Sequence, residues 1–105
     1  MITLLKKIFS KAPEVNYAVL YKAGAIILDV RTPSEYTQGH IKGSMNIPLQ
    51  SLEKGISKLN KEKVIITCCA SGMRSESARK MLLSLGWNQV YNGGGWQSLN
   101  QKIHS

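Results

Sequence analysis

No stretch of the chain is apolar for the roughly twenty residues that a membrane-spanning helix needs, so no membrane partner is expected. No repeat, low-complexity tract or linker divides it, and its 105 residues are expected to form one domain with a modest core. Cysteine is scarce. The only two, Cys68 and Cys69, are neighbours and cannot staple distant segments, which excludes a disulfide framework within the chain and suits a reducing compartment. Acidic residues are few as well: six Asp and Glu stand against fourteen Lys and Arg, for a formal charge of +8. The eleven lysines are scattered, with no Arg-rich block and no alternation of aromatic and basic residues, so no nucleic-acid partner is expected. Such a coat is either a solvated surface or a positive field that attracts a small anion or an acidic partner.

No secretory signal is expected either. In "MITLLKKIFSKAP" the apolar residues Ile2, Leu4, Leu5, Ile8 and Phe9 are interrupted by Lys6 and Lys7, which leaves the apolar stretch too short. Residues 1–13 therefore read as an amphipathic N-terminal extension, and the expected location is cytoplasmic.

What the chain does contain is strands alternating with helices. Pro13 suits the first turn of a helix over roughly Glu14 to Lys22, with Val15, Val19 and Leu20 inward and Gly24 ending it. "AIILDV", Ala25 to Val30, is continuously apolar, as a strand covered on both faces must be. "TPSEY" predicts a capped short helix, and "GSMNIPL" a brief strand stopped by Pro48. Leu52, Ile56 and Leu59 recur at helical spacing. "KVIITCC" is a second apolar strand. The helix after it carries Ala78, Met81, Leu82 and Leu85 on one face and ends at Gly86. "NQVYN" predicts a short last strand and "GWQSLNQKIH" a closing helix. The pattern implies an α/β fold: a mainly parallel central sheet with helices on both faces. In such folds the working site lies beyond the carboxyl ends of the strands, where Asp29 and Cys69 fall.

Between strand and helix runs "CASGMRS", Cys69 to Ser75. Small residues and Gly72 let this loop curl, turning successive backbone N–H groups inward as an anion-binding nest. A helix starting near Arg74 or Ser75 adds its free N–H groups and positive dipole end. A thiol at the centre would be stabilised as thiolate, the nucleophilic form. The competing reading is an inert cysteine at the end of a buried strand.

The same segment resembles the active loop of the rhodanese-like sulfurtransferases, Cys-x-x-Gly-x-Arg-Ser. "LDVRTPSEYTQGHIKGSMNIP", Leu28 to Pro48, is similar to that family's N-terminal signature, and "VYNGGGW", Val90 to Trp96, to its glycine-rich C-terminal one. Together the matches span 25–99. The resemblance implies a single rhodanese-like domain over 1–105 with Cys69 as nucleophile. Ala70, Ser71, Gly72, Met73, Arg74 and Ser75 would form the substrate-binding loop, and Asp29, Arg31 and His40 would support it. Asp29 is expected to bond backbone near the loop, Arg31 to pair with Glu35 or else face substrate, Arg74 to brace the loop, and His40 to tie down a turn. Cys68 would be a packed core thiol on the opposite face of its strand.

The implied reaction moves a sulfane sulfur from thiosulfate or a persulfide, through a Cys69 persulfide, to cyanide in the test tube or a thiol in the cell. It needs no metal and no organic cofactor. The implied partners are a small anionic sulfur donor and a thiol acceptor, with a thioredoxin-like or other sulfur-accepting protein as a further candidate. Ala70 and Met73 are uncharged where the family often carries polar or basic side chains, so a persulfide fits as well as thiosulfate. Two alternatives stand beside this one. The first is a non-catalytic or protein-specific sulfur carrier. The second is a cysteine-loop phosphatase or arsenate reductase, whose Cys-x5-Arg spacing appears when the count starts at Cys68.

Overall fold

The computed structural model describes residues 15–105. The expected extension over 1–13 and the expected helix start at Pro13 and Glu14 lie outside them. Four strands, β1 (Ile26–Asp29), β2 (Met45–Asn46), β3 (Ile65–Cys69) and β4 (Val90–Gly95), form one parallel sheet in the order β2-β1-β3-β4. The helices are α1 (Tyr17–Lys22), α2 (Pro33–Gln38), α3 (Leu52–Gly55), α4 (Met73–Ser84) and α5 (Trp96–Ile103). The α/β architecture expected from the alternation of elements is the one observed.

Both faces of the sheet are covered, which is why β1 and β3 are apolar apart from Asp29 and Thr67. One face packs Leu28, Ile65 and Cys69 against Leu52, Leu59, Ala78 and Leu82, under α3 and α4. The other packs Ile27, Ile66 and Cys68 against Leu99, Ile103, Leu20 and Tyr21, under α1 and α5. The two thiols thus lie on opposite faces, as the alternation of side chains along a strand requires.

Local departures from the sequence reading have local causes. Asn16 accepts the N–H of Val19 and starts α1 at Tyr17. Val19 then points to solvent, 58% exposed, and Tyr17, Leu20 and Tyr21 supply the inner face instead. The segment after Pro48 is a single turn of α-helix, α3, flanked by 3-10 turns (Leu49–Ser51 and Ile56–Lys58); Leu52 and Leu59 are still buried. Helix α4 begins one or two residues early, at Met73. Leu85 lies past its end and is 41% exposed, leaving Ala78 and Leu82 buried with Met81 beside them. Gly86, at φ +108, takes the left-handed turn that ends this helix. Strand β4 runs further than expected, through Gly95, and gains one residue against β3: Thr67 pairs with Asn92, but Cys69 pairs with Gly95. That bulge brings the glycine run beside the cysteine loop. Among the described residues no helix is long and apolar enough to cross a membrane.

Candidate active site

Asp29, Asn46, Cys69 and Gly95 end the four strands along one edge of the sheet. Beyond Cys69 the chain turns sharply. Gly72 takes φ +103, a conformation costly for any residue with a Cβ, and caps α4. The turn aims donors back at the Cys69 sulfur. The Gly72 N–H lies 2.9 Å from Sγ and the Ser75 N–H 3.4 Å, while the thiol meets the Ser75 hydroxyl at 3.4 Å. Burial pushes the Cys69 thiol pKa up. The Ser75 hydroxyl and the Ser75, Gly72 and Ser71 N–H groups outweigh it and leave the pKa below the ordinary thiol value. Ser71 thus acts through its backbone rather than its side chain.

Cys68 is the opposite case. Burial first, and then the charge of Asp29, push its pKa far up. Its sulfur sits in the apolar layer under α1 and α5, so the phosphatase count that starts at Cys68 begins from a thiol turned away from the loop.

The loop is held from two sides. Arg74 donates through both Nη atoms to the Glu35 carboxylate, at 2.8 and 3.0 Å, and the Arg74 hydrogen bonds hold that carboxyl down at about 2. Glu35 also closes a capping box with Thr32, so one side chain serves the start of α2 and the start of α4. On the other side stands Asn92, a residue that the sequence reading did not single out. Its Oδ1 accepts from the Ser75 hydroxyl at 2.7 Å and the Gly94 N–H at 2.9 Å. Its Nδ2 donates to the Gly72 carbonyl and to Glu76, at 3.2 and 3.3 Å. With a backbone N–H on one end and a carboxylate on the other, the amide has a single orientation. The available signal was a polar residue inside an apolar strand, just ahead of three glycines.

Asp29 and Arg31 are paired differently from expectation. Asp29, fully buried, binds Arg31 rather than backbone of the cysteine loop: Arg31 Nε reaches both carboxylate oxygens at 3.0 Å, and Nη2 reaches Oδ2 at 2.7 Å. Arg31 meets Glu35 only at its backbone carbonyl, at 3.3 Å, because the Glu35 carboxylate is taken by Arg74. At 4% exposure, Arg31 also donates to the Gly39 carbonyl and lies 4.8 Å from the Trp96 ring centroid. Trp96 walls a cleft of about 310 Å³ with Arg31, Glu35, Gln38, Gly39 and Gln97. His40 stacks on Tyr36 and meets the Tyr36 carbonyl through Nδ1 at 2.7 Å. Among the described residues no group of three His, Cys, Asp or Glu could hold a metal ion.

A loop of this geometry can stabilise a thiolate and hold a negatively charged atom bonded to it. The family model of the rhodanese-like domain matches residues 12–102. The thiosulfate sulfurtransferase GlpE of Stutzerimonas stutzeri is 32% identical over 90 residues, covering 85% of this chain and 83% of its own. The solved structure of a rhodanese-related protein from Thermoplasma volcanium is 36% identical with a TM-score of 0.71, over 87% of this chain and 93% of that one. A rhodanese with anions from Escherichia coli matches with a TM-score of 0.67 and 31% identity, over 71% of this chain and 91% of that one. With both signature regions and the cysteine loop in their expected places along the sheet edge, the chain belongs to the family of rhodanese-like domains.

Proposed function

We propose that the protein is a sulfurtransferase that carries a sulfane sulfur on Cys69. The observation that supports this most directly is the convergence of the Gly72 and Ser75 N–H groups on Cys69 Sγ, with the thiol pKa lowered although the side chain is buried. In the first step the Cys69 thiolate attacks the outer sulfur of the donor. A new S–S bond forms, the donor's S–S bond breaks, and its electron pair leaves with sulfite (from thiosulfate) or a thiolate (from a persulfide). The terminal sulfur of the Cys69 persulfide then occupies the mouth of the loop, where inward N–H groups and the amino end of α4 favour negative charge. In the second step a thiol, or cyanide in the test tube, attacks that sulfur and releases the Cys69 thiolate. This is covalent catalysis with two displacements.

Arg74 and Asn92 hold the loop. Asp29 and Arg31 support the adjoining strand end, and His40 steadies the turn after α2. The two free thiols suit a reducing compartment such as the cytoplasm. Intact-protein mass spectrometry tests the reading. Wild type incubated briefly with a sulfane donor should gain one sulfur atom and lose it to cyanide as thiocyanate. The gain should disappear in Cys69→Ser and persist in Cys68→Ser; a gain that followed Cys68 would overturn the assignment.

A further inference from the structure

Resting on that reading, we propose that Asn92 is a positioning residue that biases Cys69 towards its sulfur-loaded form, acting through the proton of the Ser75 hydroxyl. Cys69, Ser75 and Asn92 form a line of contacts. The Cys69 thiol meets Ser75 Oγ at 3.4 Å, and Ser75 Oγ stands 2.7 Å from Asn92 Oδ1. The amide cannot present its nitrogen to Ser75. Nδ2 is held by the Gly72 carbonyl and Glu76, and Oδ1 by the Gly94 N–H. An amide oxygen only accepts, so the Ser75 proton points to Asn92 and the Ser75 lone pairs face the sulfur.

Lone pairs suit a thiol, which donates, and oppose a thiolate, which only accepts. When Cys69 ionises, its sulfur and Asn92 Oδ1 compete for the one Ser75 proton. Ser75 is fully buried, so bulk solvent does not reach its hydroxyl to supply a second donor. Sulfur loading ends the competition. Cys69–S⁻ and R–S–SH give Cys69–S–S⁻ and R–SH: the bond from Cys69 to the terminal sulfur forms, the donor's S–S bond breaks, and the leaving thiolate takes up the proton. The charge then sits on the terminal sulfur and the inner sulfur is neutral, so the Ser75 proton stays on Asn92. Asn92 therefore stabilises the loaded form relative to the empty thiolate and makes Cys69 a poorer leaving group, which holds the sulfur until an acceptor arrives. Around the cradle stand Arg74 with Glu35, the buried Asp29–Arg31 pair, Glu76 with Arg79, and the Cys68 thiol on the other face of β3. Among the described residues none of these hydrogen-bonds the Ser75 hydroxyl. Tyr17 of α1 donates to the backbone carbonyl of Asn92, which no side-chain substitution removes.

A double-mutant cycle over Ser75→Ala and Asn92→Ala tests the proposal. Two quantities are read for each protein. One is the pH midpoint of Cys69 alkylation by iodoacetamide. The other is the ratio of loaded to empty Cys69 at equilibrium with 2-hydroxyethyl persulfide and 2-mercaptoethanol, by intact-protein mass spectrometry. Asn92→Ala alone should move the midpoint towards acid and lower the loaded ratio about fivefold, the scale of one neutral hydrogen bond. In the Ser75→Ala background the same substitution should change neither. Equal losses in both backgrounds would mean that Asn92 is only structural and would overturn the proposal, as would a loaded ratio unmoved or raised by Asn92→Ala. Asn92→Asp keeps an oxygen towards Ser75 and covers the case in which the alanine variant does not fold. Its midpoint should not fall below that of wild type, and a fall overturns the proposal. If wild-type Cys69 gains no sulfur from this donor or from thiosulfate while it still alkylates, the sulfurtransferase reading itself falls.

Discussion

The carboxylate of Glu35 and the guanidinium of Arg74, 39 residues apart, meet in a two-pronged pair at 2.8 and 3.0 Å and tie the cap of α2 to the first turn of α4. Its pH dependence has a definite sign. Glu35 is held at about 2 against an ordinary 4.5, so its stabilisation is fully present above pH 4.5 and is lost as pH falls towards 2. Urea unfolding of wild type and Glu35→Gln across that range should show a wild-type advantage that is constant near neutrality and vanishes in acid. Because both side chains are about a third exposed, with relative accessibility of 36%, the advantage should be about 1 kcal/mol or less.

Alkylation kinetics should separate the two thiols. Iodoacetamide should modify Cys69 first, with a midpoint below that of an ordinary free cysteine. Cys68, buried among Ile27, Ile66 and Leu99, should react only on unfolding. Modification of Cys68 in the folded protein, ahead of Cys69, would contradict the geometry.

Removing the hydroxyl that faces the sulfur should raise the Cys69 pKa. Ser75→Ala keeps both N–H contacts but loses the side-chain one, and sulfur loading below pH 7 should slow about tenfold, the scale of one hydrogen bond to a charged group. Asn92→Ala should shift the same pH–rate profile the other way, because the Ser75 hydroxyl, no longer donating to Asn92 Oδ1, becomes free to donate to the Cys69 thiolate. A fall in rate at every pH with an unmoved midpoint would mean that Asn92 only supports the fold.

Two glycines of β4 should fail differently. A Cβ on Gly93 would stand 2.7 Å from Leu99 and 2.9 Å from both Ile66 and the Thr67 carbonyl, so Gly93→Ala should cost about 1–3 kcal/mol of stability in thermal or urea unfolding. A Cβ on Gly95 would press on the Ala70 carbonyl at 2.9 Å, displacing the loop itself. Gly95→Ala should therefore lose more sulfur-loading rate than stability, a contrast that paired unfolding and loading assays would read.

Breaking the buried pair from one side should be severe. Asp29→Ala leaves the Arg31 guanidinium buried without its carboxylate and should cost about 3–5 kcal/mol by urea unfolding.

The periodicity of apolar residues was enough to read the α/β class, the covered sheet and the place of Cys69 at a strand end, because burial on two faces favours strands that are largely apolar. It was also enough to put Cys68 and Cys69 on opposite faces, since successive strand residues must alternate. Helix boundaries were less legible. Asn16 and Gly72 start α1 and α4 through local hydrogen bonding and backbone geometry that a periodic pattern does not register.

Which polar side chain meets which was not legible at all. Arg31 and Glu35, at helical spacing, looked like a pair, yet Arg31 turns back to Asp29 and Glu35 reaches forward to Arg74. Asn92 gave little hint of its four contacts. The sequence by itself determined the layers, the strand faces and the curling of the cysteine loop, which depend on burial and on the freedom of Gly72. Only the tertiary structure decided the partners of the charged and amide groups. Those follow from parallel strands bringing β1, β3 and β4 to one edge, where groups far apart in the chain compete for the same few donors and acceptors.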